Sequence, residues 1–359
     1  MRMSDSTMKA VTYTQNRGYR VQEVPRPRIG PDEILVEVLA SSICGTDLRI
    51  IRNGHRKLAD GQTIILGHEF AGRVVEVGPE LNGAGGLAEG TAVGVAPNIG
   101  CGSCPMCRRG LPNMCPDYCA FGINMDGSHA RYVRIPRAAI DQGCVIPLPA
   151  ALAFEDATLI EPLSCAVNGS LACRIKAGET VVIFGGGPMG LLHLMLARTS
   201  GAAQVVLVEP EAHRAQKARQ LGADETINPA AEDVGRRILA LTGGRGADVI
   251  ITACSVPTVQ EQALGLLAPF GRLCLFGGLP KDQAVIRLDS NLIHYRNLVV
   301  TGVTGGSPGD FRIAMDLIAT GRLDVKSVVS HVFEFEQVDQ AFEVALNQQT
   351  MKVVIAADR

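Results

Sequence analysis

The sequence predicts an α/β protein in which a β-rich part is followed by a parallel sheet with helices on both faces. In the first third, short runs with several β-branched residues, such as 34–40 and 72–77, lie between prolines and glycines. From residue 180 to about 303, strand-like runs alternate with helix-like stretches, which is typical of βαβ units. A chain of 359 residues is too long for one ordinary core, so we expect two domains.

The individual elements follow from hydrophobic patterning and from the glycines and prolines between them. The predicted strands, in chain order, are 34–40, 72–77, 130–135, 180–184, 204–208, 248–251, 272–276 and 352–355. The predicted helix-like stretches are 188–198, 211–221, 258–267 and 311–319. The pattern changes near Glu161, where we place the first domain boundary. Patterning alone does not assign the tail from residue 304 to either domain.

Composition narrows the class of partner. The net charge is -2 and no basic run stands out, which argues against nucleic acid or an anionic membrane. No apolar run approaches the ~20 residues needed to cross a bilayer. No apolar stretch follows residues 1–7, so we expect no secretory signal and a cytoplasmic protein. Eleven cysteines in such a chain indicate a reducing compartment and metal binding rather than disulfides.

Four cysteines in one short stretch predict a structural zinc site. Cys101, Cys104, Cys107 and Cys115 follow the spacing Cys-x2-Cys-x2-Cys-x7-Cys within a loop rich in glycine and proline. Tetrahedral zinc binds four thiolates, and short spacings bring such thiolates together. A site of this kind is closed to substrate, so we expect it to stabilise the fold and to take no part in chemistry.

A glycine-rich loop over 185–190 has the pattern GxGxxG, and it follows an apolar strand and opens a helix. The first glycine permits a tight turn, the second lets the backbone approach a pyrophosphate, and the third lets helix and strand pack closely. The pyrophosphate would lie at the start of the helix, where free N–H groups and the helix dipole favour anions. The predicted cofactor-binding residues of the loop are Gly185, Gly187, Pro188, Met189 and Gly190.

Glu209, at the end of the next strand, indicates which dinucleotide binds. A carboxylate at this point can accept hydrogen bonds from a ribose 2′-OH but would repel a 2′-phosphate. We therefore predict NAD rather than NADP. Arg214, five residues further on, is the feature that would favour a 2′-phosphate instead.

A second metal site is indicated by Cys44, in Cys-Gly-Thr-Asp, and His68, in Gly-His-Glu. A catalytic zinc has three protein ligands and keeps one position open. Cys44 and His68 supply two ligands, and Glu69 and Glu161 are the candidates for the third because both offer oxygen donors.

Other residues around this group have weaker assignments. Cys165 and Cys173 are reserve candidates for the third ligand, although buried cysteines usually act as small hydrophobes. Asp47 is expected to orient His68, because metal-bound imidazoles usually donate their second N–H group. A basic cluster follows, which is either a solvated face or a site for a substrate phosphate or carboxylate: Arg49, Arg52, His55, Arg56 and Lys57.

Taken together, these motifs resemble the zinc-containing medium-chain alcohol dehydrogenases, in particular their polyol branch around sorbitol dehydrogenase. The two ligand motifs, the cysteine quartet, Glu161-Pro162 and the glycine loop occur in that family's order and spacing over nearly the whole chain. The resemblance implies a GroES-like, β-rich catalytic domain at 1–160. It is interrupted by a Rossmann NAD-binding domain with a doubly wound parallel sheet at 161–303 and completed by 304–359.

The resemblance also implies roles for individual residues. The catalytic zinc would be held by Cys44, His68 and one or both of Glu69 and Glu161, which gives two zinc ions per chain. Thr46 would pass the proton of the substrate hydroxyl outward, or else would only cap a turn. The implied cofactor-contact positions, besides those of the loop, are Glu209, Arg214, Phe276, Gly277, Gly278, Val303 and Thr304.

Some positions depart from the family pattern. Ile50 stands where the polyol branch often has tyrosine, and Gly305-Gly306 replaces an arginine–aromatic pair, so sorbitol itself is not the expected substrate. Arg49 replaces the proton-relay histidine of some alcohol dehydrogenases.

The expected function is hydride transfer between NAD and a secondary alcohol: a polyol, cyclitol or sugar derivative, with or without a phosphate. The alternatives are a threonine-type dehydrogenase of the same fold, or a non-catalytic zinc- and nucleotide-binding protein. The expected partners are a small-molecule substrate and further copies of the same chain, in a dimer or tetramer.

Overall fold

The computed structural model of the protein describes residues 6–81, 83, 86–346 and 350–357. The chain forms two compact units. The first contains the described residues up to Ser164 and from Gly305 onward, and the second contains Cys165–Thr304. The first division falls inside a helix, a few residues after the boundary placed at Glu161, because the change of sequence pattern marks the start of that helix. In the described ranges, no helix is both long and apolar enough to span a membrane.

Strands dominate the first unit, and strands and helices alternate in the second. The described strands are β1 (Thr7–Thr14), β2 (Gly18–Pro25), β3 (Ile34–Ile43), β4 (Thr63–Ile65), β5 (Glu69–Val77), β6 (Ala92–Val95), β7 (Asn98–Ile99), β8 (Cys119–Ala120), β9 (Tyr132–Ile135), β10 (Val145–Pro147), β11 (Thr180–Phe184), β12 (Gln204–Val208), β13 (Glu225–Ile227), β14 (Ala247–Thr252), β15 (Leu267–Leu275), β16 (Val299–Gly302), β17 (Val329–Glu334) and β18 (Lys352–Ala356). The described α-helices are α1 (Gly45–Asn53), α2 (Pro105–Arg108), α3 (Arg137–Asp141), α4 (Phe154–Ala157), α5 (Ile160–Cys173), α6 (Pro188–Thr199), α7 (Ala212–Gln220), α8 (Val234–Leu241), α9 (Pro257–Ala263), α10 (Ser290–Arg296), α11 (Pro308–Ala319) and α12 (Val338–Leu346).

The first unit is built around β3, which is buried along most of its length. Its main sheet has the order β10-β6-β5-β3-β18-β17, and β9 also pairs with β3. Strand β18 near the end of the chain runs antiparallel to β3, with Val353 opposite Ile43. The C-terminal tail therefore belongs to the first unit. Sequence patterning could not show this, because strand pairing joins segments that are far apart in sequence.

The second unit contains a parallel sheet with the order β13-β12-β11-β14-β15-β16. Numbered within the unit, this is the order 3-2-1-4-5-6 of the Rossmann fold. Every residue of β11 is buried, as expected for a central parallel strand covered by helices on both faces. The direction of winding reverses between β11 and β14, and this switch point is where such sheets bind ligands.

Predicted and observed elements agree best in the second unit. The strands predicted at 180–184 and 204–208 have the observed bounds of β11 and β12. The stretch predicted to be amphipathic over 258–267 ends early, since α9 stops at Ala263 and β15 begins at Leu267. Phe270 has a left-handed backbone with φ 62°, and the pairing of β15 with β14 shifts register nearby. The start of β15 is therefore irregular, and the sequence there does not show a strand-like pattern.

Gly190 provides a test of how α6 packs on the loop before it. A Cβ at this position would lie 1.8 Å from the carbonyl oxygen of Gly185, whereas a Cβ at Gly265 would meet nothing within 4 Å. We expect Gly190→Ala to destabilise the protein by about 1–3 kcal/mol, the usual range for overpacking, and to weaken NADH binding. Gly265→Ala should do neither. Thermal unfolding and NADH fluorescence titration measure both effects, and unchanged values for Gly190→Ala would contradict the close packing.

Candidate metal centres and dinucleotide loop

The cysteine quartet forms one group in the structure. The sulfur atoms of Cys101, Cys104, Cys107 and Cys115 all lie within 4.8 Å of one another. Backbone N–H groups within the loop donate to these sulfurs, for example from Cys104 to Cys101 Sγ at 3.4 Å. Hydrogen bonds from the backbone and hydroxyl of Ser103 lower the pKa of Cys101 to about 6, whereas burial raises the pKa of Cys107 to about 12. A lowered pKa favours the thiolate, which is the form that binds metal.

A second group lies where β3 ends and β5 begins. The two strands are antiparallel with Ser42 opposite Glu69, so Cys44, just after β3, meets His68, just before β5. The possible ligand atoms of Cys44, His68 and Glu69 lie within 4.8 Å of one another. His68 and Glu69 are buried, and Cys44 is partly exposed.

Asp47 supports this group from the first turn of α1. Its Oδ2 accepts the backbone N–H of Cys44 at 2.9 Å, and its Oδ1 lies 3.5 Å from His68 Nδ1. Burial acts to raise the pKa of Asp47, but the imidazoles of His68 and His129 outweigh it and hold that pKa well below its usual range. For His68, burial acts to lower the pKa, but Cys44 and Asp47 raise it well above its usual value. The group therefore favours positive charge, whether a proton or a metal ion.

Two buried polar atoms test whether these residues suit a zinc ion. Within the described part of the chain, neither Asp47 Oδ1 nor His68 Nδ1 makes a hydrogen bond, although the two atoms face each other. If Nδ1 carries the proton toward Asp47, Nε2 is left free to bind a metal. A thiolate, an imidazole and carboxylates are the ligand types that zinc binds, so the donor set is suitable.

Glu69 is held by a buried ion pair that the sequence did not predict. Lys352 Nζ lies 2.6 Å from Oε1 and 2.5 Å from Oε2 of Glu69, and the hydroxyl of Ser42 also donates to Oε2. Burial acts to lower the pKa of Lys352, but Glu69, Cys44 and Glu161 outweigh it and raise the pKa. The only sequence signal for this partner was a lysine at the start of the apolar strand 352–355.

The other residues predicted to act at this metal site lie in different parts of the structure. Glu161 is buried at the start of α5, and its charge acts on Lys352. Cys173, a reserve ligand, is instead hydrogen-bonded to Cys274 inside the second unit. Thr46 lies half-buried in the first turn of α1.

The basic cluster lies partly in α1 and partly in the residues that follow it. Lys57 donates to the carbonyl of Tyr118 at 2.5 Å and lies 3.2 Å from the centre of its ring. Arg52 donates to the carbonyl of Leu346 at 3.2 Å. Lys57 and Arg52 therefore bind backbone carbonyls of the protein itself, although Arg52 is exposed, as are Arg49 and Arg56. Burial and the charges of Arg56, Lys57 and Arg49 lower the pKa of His55.

The glycine loop has the geometry that its pattern predicts. Gly185 has φ 104°, in the left-handed region that favours glycine, and Gly187 is the N-cap of α6. The carboxylate of Glu209 is buried and folded onto the loop. Its Oε2 accepts the N–H of Gly186 at 2.5 Å, and its Oε1 accepts that of Glu211 at 3.0 Å.

The other predicted cofactor contacts lie at the same edge of the sheet. Phe276 and the two glycines after it follow β15, and Gly277 donates to the carbonyl of Thr252 at 2.7 Å. Val303 and Thr304 follow β16, while Met189 lies in the first turn of α6. Arg214, on α7, has a guanidinium nitrogen 4.0 Å from the Cβ position at Gly187. Carboxyl ends of parallel strands thus gather these positions around the switch point.

Comparison with known proteins identifies similar proteins over nearly the whole chain. Residues 30–150 match the alcohol dehydrogenase GroES-like domain, and residues 188–320 match the zinc-binding dehydrogenase domain. L-threonine 3-dehydrogenase of Pyrococcus horikoshii is 36% identical over 98% of this chain and 99% of its own. Sorbitol dehydrogenase of Bacillus subtilis is 30% identical over 98% of each chain. A putative zinc-binding dehydrogenase of Sinorhizobium meliloti bound to NADP has a TM-score of 0.88 at 33% identity, covering 98% of this chain and 99% of its own.

These matches, together with the two-unit architecture, define the chain as an oxidoreductase of CH–OH groups with a GroES-like and a Rossmann part. The chain belongs to the zinc-containing medium-chain alcohol dehydrogenase family.

The cysteine quartet leads to a metal-content prediction. We expect Cys107→Ser to lose about one zinc per chain and to unfold at a lower temperature, because a structural zinc contributes directly to folding. Cys119→Ser is the matched control, since Cys119 is an exposed free thiol a few residues beyond the quartet. Zinc content by atomic emission and thermal unfolding measure the effect. Equal zinc in Cys107→Ser and wild type would show that the quartet binds no metal.

Proposed function

We propose that the protein oxidises the secondary hydroxyl of a small polar molecule, with zinc bound at Cys44 and His68 and NAD as the hydride acceptor. The observation that carries this proposal is the buried group at the ends of β3 and β5. There, His68 Nδ1 faces an otherwise unbonded oxygen of Asp47 and leaves Nε2 for a metal. Zinc, when bound, supplies Lewis-acid polarisation of the substrate oxygen.

Charge balance supports Glu161 rather than Glu69 as the third ligand. Glu69 is neutralised by Lys352, and both of its oxygens already accept hydrogen bonds. A zinc ion with the Cys44 thiolate and one further carboxylate is neutral, which is the favourable state for a buried site. Ligation by Glu69 would require its contacts with Lys352 to break. Glu69 and Lys352 then act as a neighbouring neutral pair.

We propose that Thr46 relays the proton of the substrate hydroxyl, its own hydroxyl accepting that proton while it releases one toward solvent. The first turn of α1 is already capped by Asp47, which accepts the N–H of Cys44. Thr46 is therefore not needed as a cap. It is half-buried and lies two residues after the proposed ligand Cys44.

Glu209 supports NAD as the preferred cofactor. Its buried carboxylate is bound to the glycine loop, so a 2′-phosphate beside it would meet a fixed negative charge. Arg214, near Gly187, would instead favour the 2′-phosphate of NADP, and the similar Sinorhizobium structure is bound to NADP. We give the carboxylate more weight because Glu209 is buried whereas Arg214 is partly exposed, and a buried charge is less screened.

L-threonine is the first substrate we propose, and polyols are the second. The threonine dehydrogenase of Pyrococcus is more similar to this chain than the Bacillus sorbitol dehydrogenase is, at 36% against 30% identity. Ile50 and Gly305-Gly306 depart from the polyol pattern, which also favours threonine. The homo-oligomer and the cytoplasmic location expected from the sequence stay predictions.

A substrate panel tests the function. We expect NADH formation with L-threonine, or failing that with a polyol, cyclitol or sugar phosphate, and at least 10-fold lower kcat/KM with NADP. Removal of zinc with dipicolinate should abolish the reaction, and added zinc should restore it. If the zinc-loaded protein binds NADH but oxidises no member of the panel, the non-catalytic alternative replaces this proposal.

The third ligand is tested by two matched variants. We expect Glu161→Gln to lose most of the second zinc and nearly all activity. Glu69→Gln should keep the zinc, although it leaves the buried Lys352 without its charge partner and lowers stability by about 3–5 kcal/mol. Zinc content separates the two variants. Loss of zinc in Glu69→Gln with retention in Glu161→Gln would assign the ligand to Glu69.

A further inference from the structure

His129 is a buried histidine that the sequence analysis did not single out. Its backbone is fixed on both sides: its N–H donates to the carbonyl of Leu66 at 2.8 Å, and its carbonyl accepts the N–H of Val11 at 2.8 Å. The side chain is 0% exposed, and its ring meets that of Phe342 edge-on at 5.2 Å between centres. The imidazole also packs against Gly67, where a Cβ would lie 2.8 Å from its Cγ.

Both ring nitrogens of His129 have polar partners, and neither partner is a backbone group. Nδ1 lies 3.1 Å from the hydroxyl of Ser41, and Nε2 lies 3.4 Å from Asp47 Oδ2. An ionised carboxylate can only accept, so we assign the ring proton to Nε2, and Nδ1 then accepts from Ser41. Ser41, His129 and Asp47 are all buried and form a chain of polar contacts that leads to His68.

Asp47 is the point where this chain acts on the metal centre. Its Oδ2 is held by two donors, the N–H of Cys44 and Nε2 of His129. With Oδ2 held from two directions, the carboxylate plane is fixed and Oδ1 is presented to His68. Without His129, one donor from the backbone would remain, and the carboxylate could rotate about it.

We propose that His129 is a positioning residue for the catalytic zinc: it fixes Asp47, and through Asp47 it fixes the ring of the proposed ligand His68. This inference rests on the proposed zinc site at Cys44 and His68. Groups that hold a metal ligand in place typically change metal affinity by 10–100-fold. Since His129 acts through one intervening residue, we expect an effect at the lower end, about 10-fold.

Three substitutions at one position separate hydrogen bonding from packing. His129→Gln places an amide nitrogen near the position of Nε2 and can still donate to Asp47. His129→Asn reaches the position of Nδ1 and keeps only the partner Ser41. His129→Phe keeps the ring volume against Phe342 and Gly67 but has no polar atom. If His129 acts only by packing, His129→Phe is expected to change zinc release least. If it acts through Asp47, His129→Gln is expected to change zinc release least.

The readout is the release of zinc from the purified, fully loaded protein to a chromophoric chelator. We expect the second zinc to leave about 10-fold faster from His129→Phe and His129→Asn than from wild type, and within about 2-fold of wild type from His129→Gln. The zinc of the cysteine quartet should leave at the same rate in all variants. His193→Phe is the control for losing a buried imidazole, since His193 is 0% exposed in the second unit and should leave zinc release unchanged.

Two results would overturn the role of His129: wild-type zinc release from His129→Phe, or release from His129→Gln as fast as from His129→Phe. If His129→Phe does not fold, His129→Asn alone is decisive, because it removes the donor to Asp47 and keeps the partner Ser41. Wild-type zinc release from His129→Asn would then overturn the proposal. Cys44→Ser separates this outcome from failure of the proposed function. Full zinc content in Cys44→Ser would show that no zinc binds at Cys44, which refutes the proposed metal site. Loss of zinc in Cys44→Ser together with wild-type release from His129→Phe would refute only the positioning role of His129.

Discussion

The antiparallel pairing of β3 with β5 decides where the proposed metal ligands lie. Ser42 is opposite Glu69, so the residues just beyond these strand ends, Cys44 and His68, are brought together. A slip of one residue would turn the side chains of a whole strand to the other face and would separate the two ligands. The burial of β3 among three neighbouring strands makes that slip costly, because its apolar side chains fill the core of the first unit. The chemistry of the site therefore depends on a register that the core fixes.

The same strand explains why the C-terminal tail matters for function. Strand β18 pairs with β3 on the side away from β5, and its first residue, Lys352, reaches Glu69 and the carbonyl of Ile43. A buried carboxylate such as Glu69 needs a compensating charge, and Lys352 of the tail supplies it. The negative charge of Asp47 is instead stabilised by the imidazoles of His68 and His129 and by the backbone N–H of Cys44. Glu69 and Asp47 thus both have identified partners in the structure.

The sequence predicted the features whose parts are close together along the chain. The cysteine quartet lies within fifteen residues, and the glycine loop with its flanking strand and helix lies within a single βαβ unit, so spacing alone indicated their geometry. Cys44 and His68 were recognisable because each lies in a short motif. Lys352 and His129 were missed because they reach the site only through strand pairing and loop packing, more than 60 residues away from their partners. Likewise, the tail could be assigned to the first unit only once β18 was seen to pair with β3.

We propose that a zinc ion binds at the ends of β3 and β5 as well as in the cysteine quartet. Anomalous diffraction at the zinc absorption edge, from crystals of the protein grown with zinc, measures this directly. We expect two peaks per chain, one inside the quartet and one about 2.3 Å from Cys44 Sγ, the usual zinc–sulfur distance, with His68 Nε2 also in contact. A single peak in the quartet, with Cys44 and His68 bound to no metal, would contradict it.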